Sequence, residues 1–164
     1  MKAETYKARL KFLQENSIST ADDLTACMHQ AESTVTQLAK QRTILNVRKK
    51  KRKKLFDALA AEEALAMSKA LYEEGLSGME SEYAQYVEAK ATLDTCGISR
   101  QALTEEKADI YEQLAQLNKQ IRAERKKIKL CREIADSAAK MQQDIAVQEK
   151  SQQEKEASQT RDYK

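Results

Sequence analysis

Seven consecutive cations, Arg48-Lys49-Lys50-Lys51-Arg52-Lys53-Lys54, carry the plainest chemistry in this sequence. Clustered Lys and Arg bind phosphate by neutralising its charge and releasing counterions, without reading bases. At about 100° per residue the run covers every side of a helix, so the packing around it has to open or be solvated. Two readings follow. Either the run is a phosphate-binding surface, or it is a solvated stretch neutralised by the acidic residues 55–99. A second set, Lys119, Arg122, Lys126 and Lys129, falls at i, i+3, i+7 and i+10 on one helical stripe, with Arg125, Lys127 and Arg132 beside it. No zinc-finger spacing, helix-turn-helix or RNP aromatic motif accompanies these cations. The expected DNA contact is therefore salt-sensitive and indifferent to base sequence.

Catalytic chemistry is excluded more easily. His29 is the only histidine, and it cannot build a three-His metal site. A Ser-His-Asp triad would need a convergent Ser and Asp that the sequence does not announce. No Gly-rich phosphate loop is present. Glu62, Glu63, Glu73 and Glu74 read as a solvated face. Tyr72, Tyr83 and Tyr86 have no base or metal cluster beside them and read as core or interface aromatics. No catalytic residue, metal ligand or cofactor is expected, and the chain reads as a non-enzyme. Cys27, Cys96 and Cys131 are odd in number and form no C-x-x-C pair, so they read as reduced, packed thiols of a cytoplasmic protein. Met1-Lys2-Ala3-Glu4 leads into a charged helix without an apolar signal core, and no stretch is apolar enough to span a membrane.

The elements that must position these residues are helices. The chain has 164 residues, 34% of them charged, with three Gly, no Pro and no Trp. Turn-rich β and α/β folds need more Gly and Pro than that. The abundance of Ala, Leu, Glu, Lys, Gln and Arg is that of long helices or coiled coils. Charge is divided unevenly: residues 1–54 hold 13 Lys+Arg against 5 Asp+Glu, and residues 55–99 hold 2 against 9. That asymmetry points to an anionic partner or to the acidic middle folding onto the basic flanks.

Periodicity sets out the elements. Tyr6, Leu10 and Leu13 predict a short amphipathic helix that ends at Asn16. Ser19 or Thr20 then caps a helix whose first turn is acidic. A 4,3 seam follows through Leu24, Met28, Ala31, Val35, Leu38, Arg42 and Leu45, and continues through Lys49 and Arg52 to Phe56 and Leu59. No residue type stops this helix before Gly75. Residues 79–93 predict a returning helix, closed by Gly97 as a left-handed cap. The last helix starts near Ser99 or Thr104, with its seam at Leu103, Ile110, Leu114, Leu117, Ile121, Glu124, Ile128 and Cys131. Beyond Cys131 the apolar line shifts to Ile134, Ala138, Met141 and Ile145.

The expected fold is all-α: an antiparallel helical bundle or coiled coil with two long helices and a shorter returning helix. Residues 1–18 form the short helix, 19–148 the long-helix domain, and 149–164 a disordered charged tail. Because the return is too short to cover either long helix, part of a seam is expected to face another chain, another domain or the solvent, and a homodimer is one arrangement that would cover it.

The order of features also carries a resemblance. The segment Tyr6-Lys7-Ala8-Arg9-Leu10-Lys11-Phe12-Leu13-Gln14-Glu15-Asn16-Ser17-Ile18-Ser19-Thr20-Ala21-Asp22-Asp23-Leu24 resembles a stretch of bacterial relaxase/mobilisation nucleases of conjugative elements. There a helix ending in Leu-x-x-Asn-x-Ile-Ser precedes an Asp-Leu helix start. The run Ile128-Lys129-Leu130-Cys131-Arg132-Glu133-Ile134-Ala135-Asp136-Ser137 is similar to the end of the same region. Such nucleases use a His cluster and a nucleophilic Tyr, and this chain has no such cluster. The resemblance implies a non-catalytic helical region, cut away from a nuclease domain or related to it, that holds DNA non-specifically or docks relaxosome or transfer partners. The alternative is a coiled-coil scaffold for protein interaction without a nucleic-acid role, its basic run pairing with residues 57–88.

Overall fold

The computed structural model describes residues 3–162, apart from the side chains of residues 141, 142, 144, 145 and 159–162. Five helices follow one another among the described residues: α1 (Ala3–Glu15), α2 (Ala21–Ala64), α3 (Ala66–Glu73), α4 (Glu80–Thr95) and α5 (Arg100–Asp162). The chain is all-α, with two long helices and a shorter return. It divides into two compact units, one of residues 1–36 with 121–164 and one of residues 37–120.

In the unit of residues 37–120, α2 and α5 run antiparallel. Arg42 Nη1 donates to Asn118 Oδ1 at 3.2 Å, Arg52 meets Glu106, and Arg100 meets Glu62, so the numbering falls along α5 as it rises along α2. Their seams close on each other around Leu45, Phe56, Leu103, Ile110, Leu114 and Leu117, with Ala58, Ala89 and Leu93 joining the same core. The expectation of an uncovered seam is thereby corrected here: the two long helices cover each other, and the short return does not have to. Instead α4 packs against α3, where the rings of Tyr72 and Tyr83 stack with centroids 4.1 Å apart.

The turn between α3 and α4 is set by Gly75. Leu76 N–H reaches back to Leu71 O and Gly75 N–H to Tyr72 O, a Schellman arrangement that needs a left-handed residue at Gly75, where φ is +91°. The sequence predicted one helix up to this point. The structure breaks it at Leu65, where φ is −98° and ψ 2°, between α2 and α3. Neither Gly nor Pro lies there, so residue type did not announce the break.

In the unit of residues 1–36 and 121–164, α2 starts as a reciprocal cap. Thr20 Oγ1 accepts from Asp23 N–H at 3.1 Å, while Asp23 Oδ2 accepts from the N–H groups of Ser19 and Thr20 at 3.0 and 3.2 Å. The N–H of Ser19, then that of Thr20, holds the Asp23 carboxyl below its ordinary pKa. Leu24, Ala31, Ile121, Ile128 and Cys131 are buried in this unit. The α1 face differs from the expected one. Tyr6 and Leu10 are exposed, and Arg9, Phe12, Leu13 and Asn16 are the half-buried residues instead. Arg9 lies on that half-buried face, where its guanidinium donates to Ser137 Oγ at 2.9 Å and lies 3.9 Å from Glu133.

Ser99 starts α5, its Oγ accepting from Ala102 N–H at 3.1 Å, while Thr104 lies inside the helix. The seam residues Leu103, Ile110, Leu114, Leu117, Ile121, Ile128 and Cys131 are all buried. Past Cys131, Ile134 is half-buried and Ala138 exposed, while the side chains of Met141 and Ile145 lie outside the described residues. The tail expected to be disordered is helical to Asp162, with residues 146–158 exposed. Its Gln, Glu, Lys and Ala are good helix formers and contain no breaker.

Candidate nucleic-acid interface

The run 48–54 lies wholly within α2 in the unit of residues 37–120, and the seam divides it. Leu45 and Phe56 are buried, and the 4,3 spacing between them passes through Lys49 and Arg52, which are half-buried. Both seam cations find partners on α5. The Lys49 ammonium sits 4.7 Å from the ring centroid of Tyr111, and Arg52 Nε donates to Glu106 Oε1 at 3.2 Å. Arg48 approaches the same carboxylate oxygen at 3.9 Å. The helical packing therefore does not open at the run; of the two expected accommodations, opening or solvation, the outward cations take solvation. The hydrocarbon stems of Lys and Arg cover apolar surface while their charged heads meet a ring or a carboxylate.

The other cations face away from the seam. Lys50, Lys51 and Lys54 are exposed and make no ion pair or hydrogen bond among the described residues. Lys53 Nζ lies 2.9 Å from Asp57 Oδ2, and that hydrogen bond raises the Lys53 pKa; both groups are solvated, so the pair stabilises little.

Within the acidic segment 55–99, Asp57 is the residue that forms an ion pair with the run, and it belongs to the same helix. Glu62 is taken by Arg100, whose Nε and Nη2 each donate to it at 2.6 Å, and Asp94 accepts from Arg100 Nη2 at 2.9 Å. The Arg100 hydrogen bond holds the Glu62 carboxyl below its usual range, against a smaller opposing effect of burial. Glu73 pairs with Lys69 at 3.5 Å.

The second cationic stripe lies on α5. Lys119 belongs to the unit of residues 37–120, and Arg122, Arg125, Lys126 and Lys129 belong to the other. All five are exposed. Lys129 stands 4.0 Å from Glu133, and its neighbour Arg132 pairs with Glu32 at 3.5 Å. Lys119, Arg122, Arg125 and Lys126 have no recorded partner among the described residues. The stripe therefore keeps a row of solvated cations beside a paired one.

Sequence reasoning missed Tyr111 and Glu106, which decide the two seam cations. Tyr111 sits one residue past the seam position Ile110, and no spacing within α5 marks it. Only the antiparallel register of α5 against α2 brings it to Lys49. His29 is exposed. No helix is long and apolar enough to cross a membrane among the described residues. No family model, curated protein or solved structure matches the chain.

Proposed function

We propose that this chain is a non-catalytic helical module that holds DNA by its phosphate backbone, in the manner the relaxase resemblance implies for a mobilisation protein. The observation that carries the reading is the outward set Lys50, Lys51 and Lys54, solvated and without partners on a helix whose inward cations are already matched. A rigid helix presenting three adjacent ammonium groups binds phosphates by position and charge alone.

The test is fluorescence anisotropy with a labelled oligonucleotide across a salt series. Three phosphate contacts give a log–log salt slope of about −2.7, a loss of roughly 40-fold between about 50 and 200 mM salt. Replacing Lys50, Lys51 and Lys54 by Gln is expected to flatten that slope. Undetectable binding at low salt, or an unchanged slope in the triple variant, overturns the reading.

The scaffold reading has one observation in its favour. Met67, Tyr72, Leu76 and Val87 are exposed apolar side chains within the single segment 67–87, and exposed apolar clusters mark protein contacts. Sedimentation velocity of the free chain and of the chain with DNA separates the two: self-association without DNA binding favours the scaffold.

A further inference from the structure

Beside the outward lysines, α2 and α5 enclose an open groove of about 390 Å³. Asn46, Lys49, Lys50, Lys53 and Asp57 line it from α2, and Tyr111 lines it from α5. Its volume is at the lower end of small-molecule sites, which run from about 300 to 1,000 Å³.

We propose that this groove is a nucleotide subsite, in which Lys50 and Lys53 take a phosphate and Tyr111 takes the sugar or base face beside it. The inference rests on the phosphate-binding reading above and adds a place and a second chemistry to it. Lys50 and Lys53 are three residues apart on one helix, a spacing that puts side chains on neighbouring positions and lets both ammonium groups reach one phosphate. Tyr111 supplies a phenol donor and an aromatic face, and is 45% exposed although it borders the seam. Lys49, 4.7 Å from the ring centroid, holds the ring in place, and Lys107 stands 5.9 Å away on the same helix as Tyr111. Three lysines and one ring thus line the groove with a single carboxylate. That carboxylate, Asp57, holds Lys53 until a phosphate competes for it. The shared ligand chemistry is a phosphate ester next to a planar base, supplied either by a nucleic-acid strand or by a free nucleotide.

The experiment uses the full chain with isotope-labelled tyrosine rings, the Tyr111 signal being assigned with Tyr111→Leu. The protein is titrated at low salt with a short oligonucleotide, with adenosine monophosphate and with inorganic phosphate. The Tyr111 signal is expected to move with the oligonucleotide, and more with adenosine monophosphate than with phosphate. Tyr111→Leu is expected to weaken oligonucleotide binding about tenfold, the effect of losing one stacked base, with the salt slope unchanged. Tyr111→Phe keeps the ring and most of the affinity, and Asp57→Asn strengthens binding several-fold. If the oligonucleotide binds while the Tyr111 signal stays still and Tyr111→Leu changes nothing, the subsite is overturned and the phosphate reading stands. If adenosine monophosphate moves the signal but the oligonucleotide does not bind, the subsite stands as a free-nucleotide site and the DNA reading falls. If no probe binds, both fall.

Discussion

Glu106→Gln separates the seam cations of the run from the outward ones proposed to bind phosphate. Glu106 Oε1 is shared by Arg52 at 3.2 Å and Arg48 at 3.9 Å, with Glu106 22% exposed, Arg52 38% and Arg48 48%. Such half-solvated pairs contribute about 0.2–1 kcal/mol each, and the longer one belongs at the bottom of that range. The amide retains one weak acceptor, so the expected destabilisation is about 0.5–1 kcal/mol, or roughly 1–4 °C in Tm. DNA binding moves the other way. With the carboxylate gone, Arg48 and Arg52 no longer share an anion, and the local charge rises by one. If one guanidinium turns to a phosphate, the salt slope steepens by about 0.9 and affinity at low salt rises. Arg52→Gln is the control: it loses the same hydrogen bond and a comparable amount of stability, but removes a cation and gains no affinity. Thermal unfolding and salt-titrated anisotropy on the two variants give four numbers. Glu106→Gln that unfolds earlier yet binds DNA with unchanged affinity and slope refutes the turning of Arg48 or Arg52 to phosphate and leaves the outward lysines as the contacts to test.

Three further outcomes follow from local geometry. Ser17 holds φ +54° at the end of α1, where Ile18 N–H returns to Leu13 O, so Ser17→Gly is expected to stabilise by about 0.5–1 kcal/mol in urea unfolding. Arg100 depresses the Glu62 pKa, so this carboxylate contributes stability above its unfolded value of about 4.3, and that contribution is lost as pH falls through the lower folded value; in Glu62→Gln, stability should fall less between neutral pH and pH 3 than in the parent. Burial, and then the neighbouring Cys27, pushes the Cys131 thiol up to about 11, so a thiol reagent near neutral pH is expected to modify the half-buried Cys27 and Cys96 first, and Cys131 only on unfolding.

The sequence made the seams legible to a close degree, because apolar periodicity reports directly which side of a helix is dry. Every predicted α5 seam residue from Leu103 to Cys131 is buried or half-buried, and so is every predicted α2 seam residue from Leu24 to Leu59. Glycine chemistry marked Gly75 and Gly97 because each has a positive φ. What stayed hidden depends on partners from distant sequence. The half-buried α1 face holds a contact between Arg9 and Ser137, 128 residues apart. The break at Leu65 carries no residue-type signal. The helical tail illustrates the converse: lack of an apolar period predicts lack of burial, and residues 146–158 are indeed exposed, but it does not predict lack of helix.

The candidate site obeys the same division. Seven cations in a row look uniform in sequence, and only the seam sorts them. Positions 49 and 52 inherit the periodicity of Leu45 and Phe56, so those two charges are spent on register: each meets a partner on the facing helix, Tyr111 or Glu106, as the seam cation Arg42 meets Asn118. Positions 50, 51 and 54 have no such obligation, and the fold gives them nothing to hold. Replacing Lys50, Lys51 and Lys54 should therefore leave stability within about 0.5 kcal/mol of the parent while weakening binding and flattening its salt slope, and replacing Arg52 should lower stability while leaving binding in place.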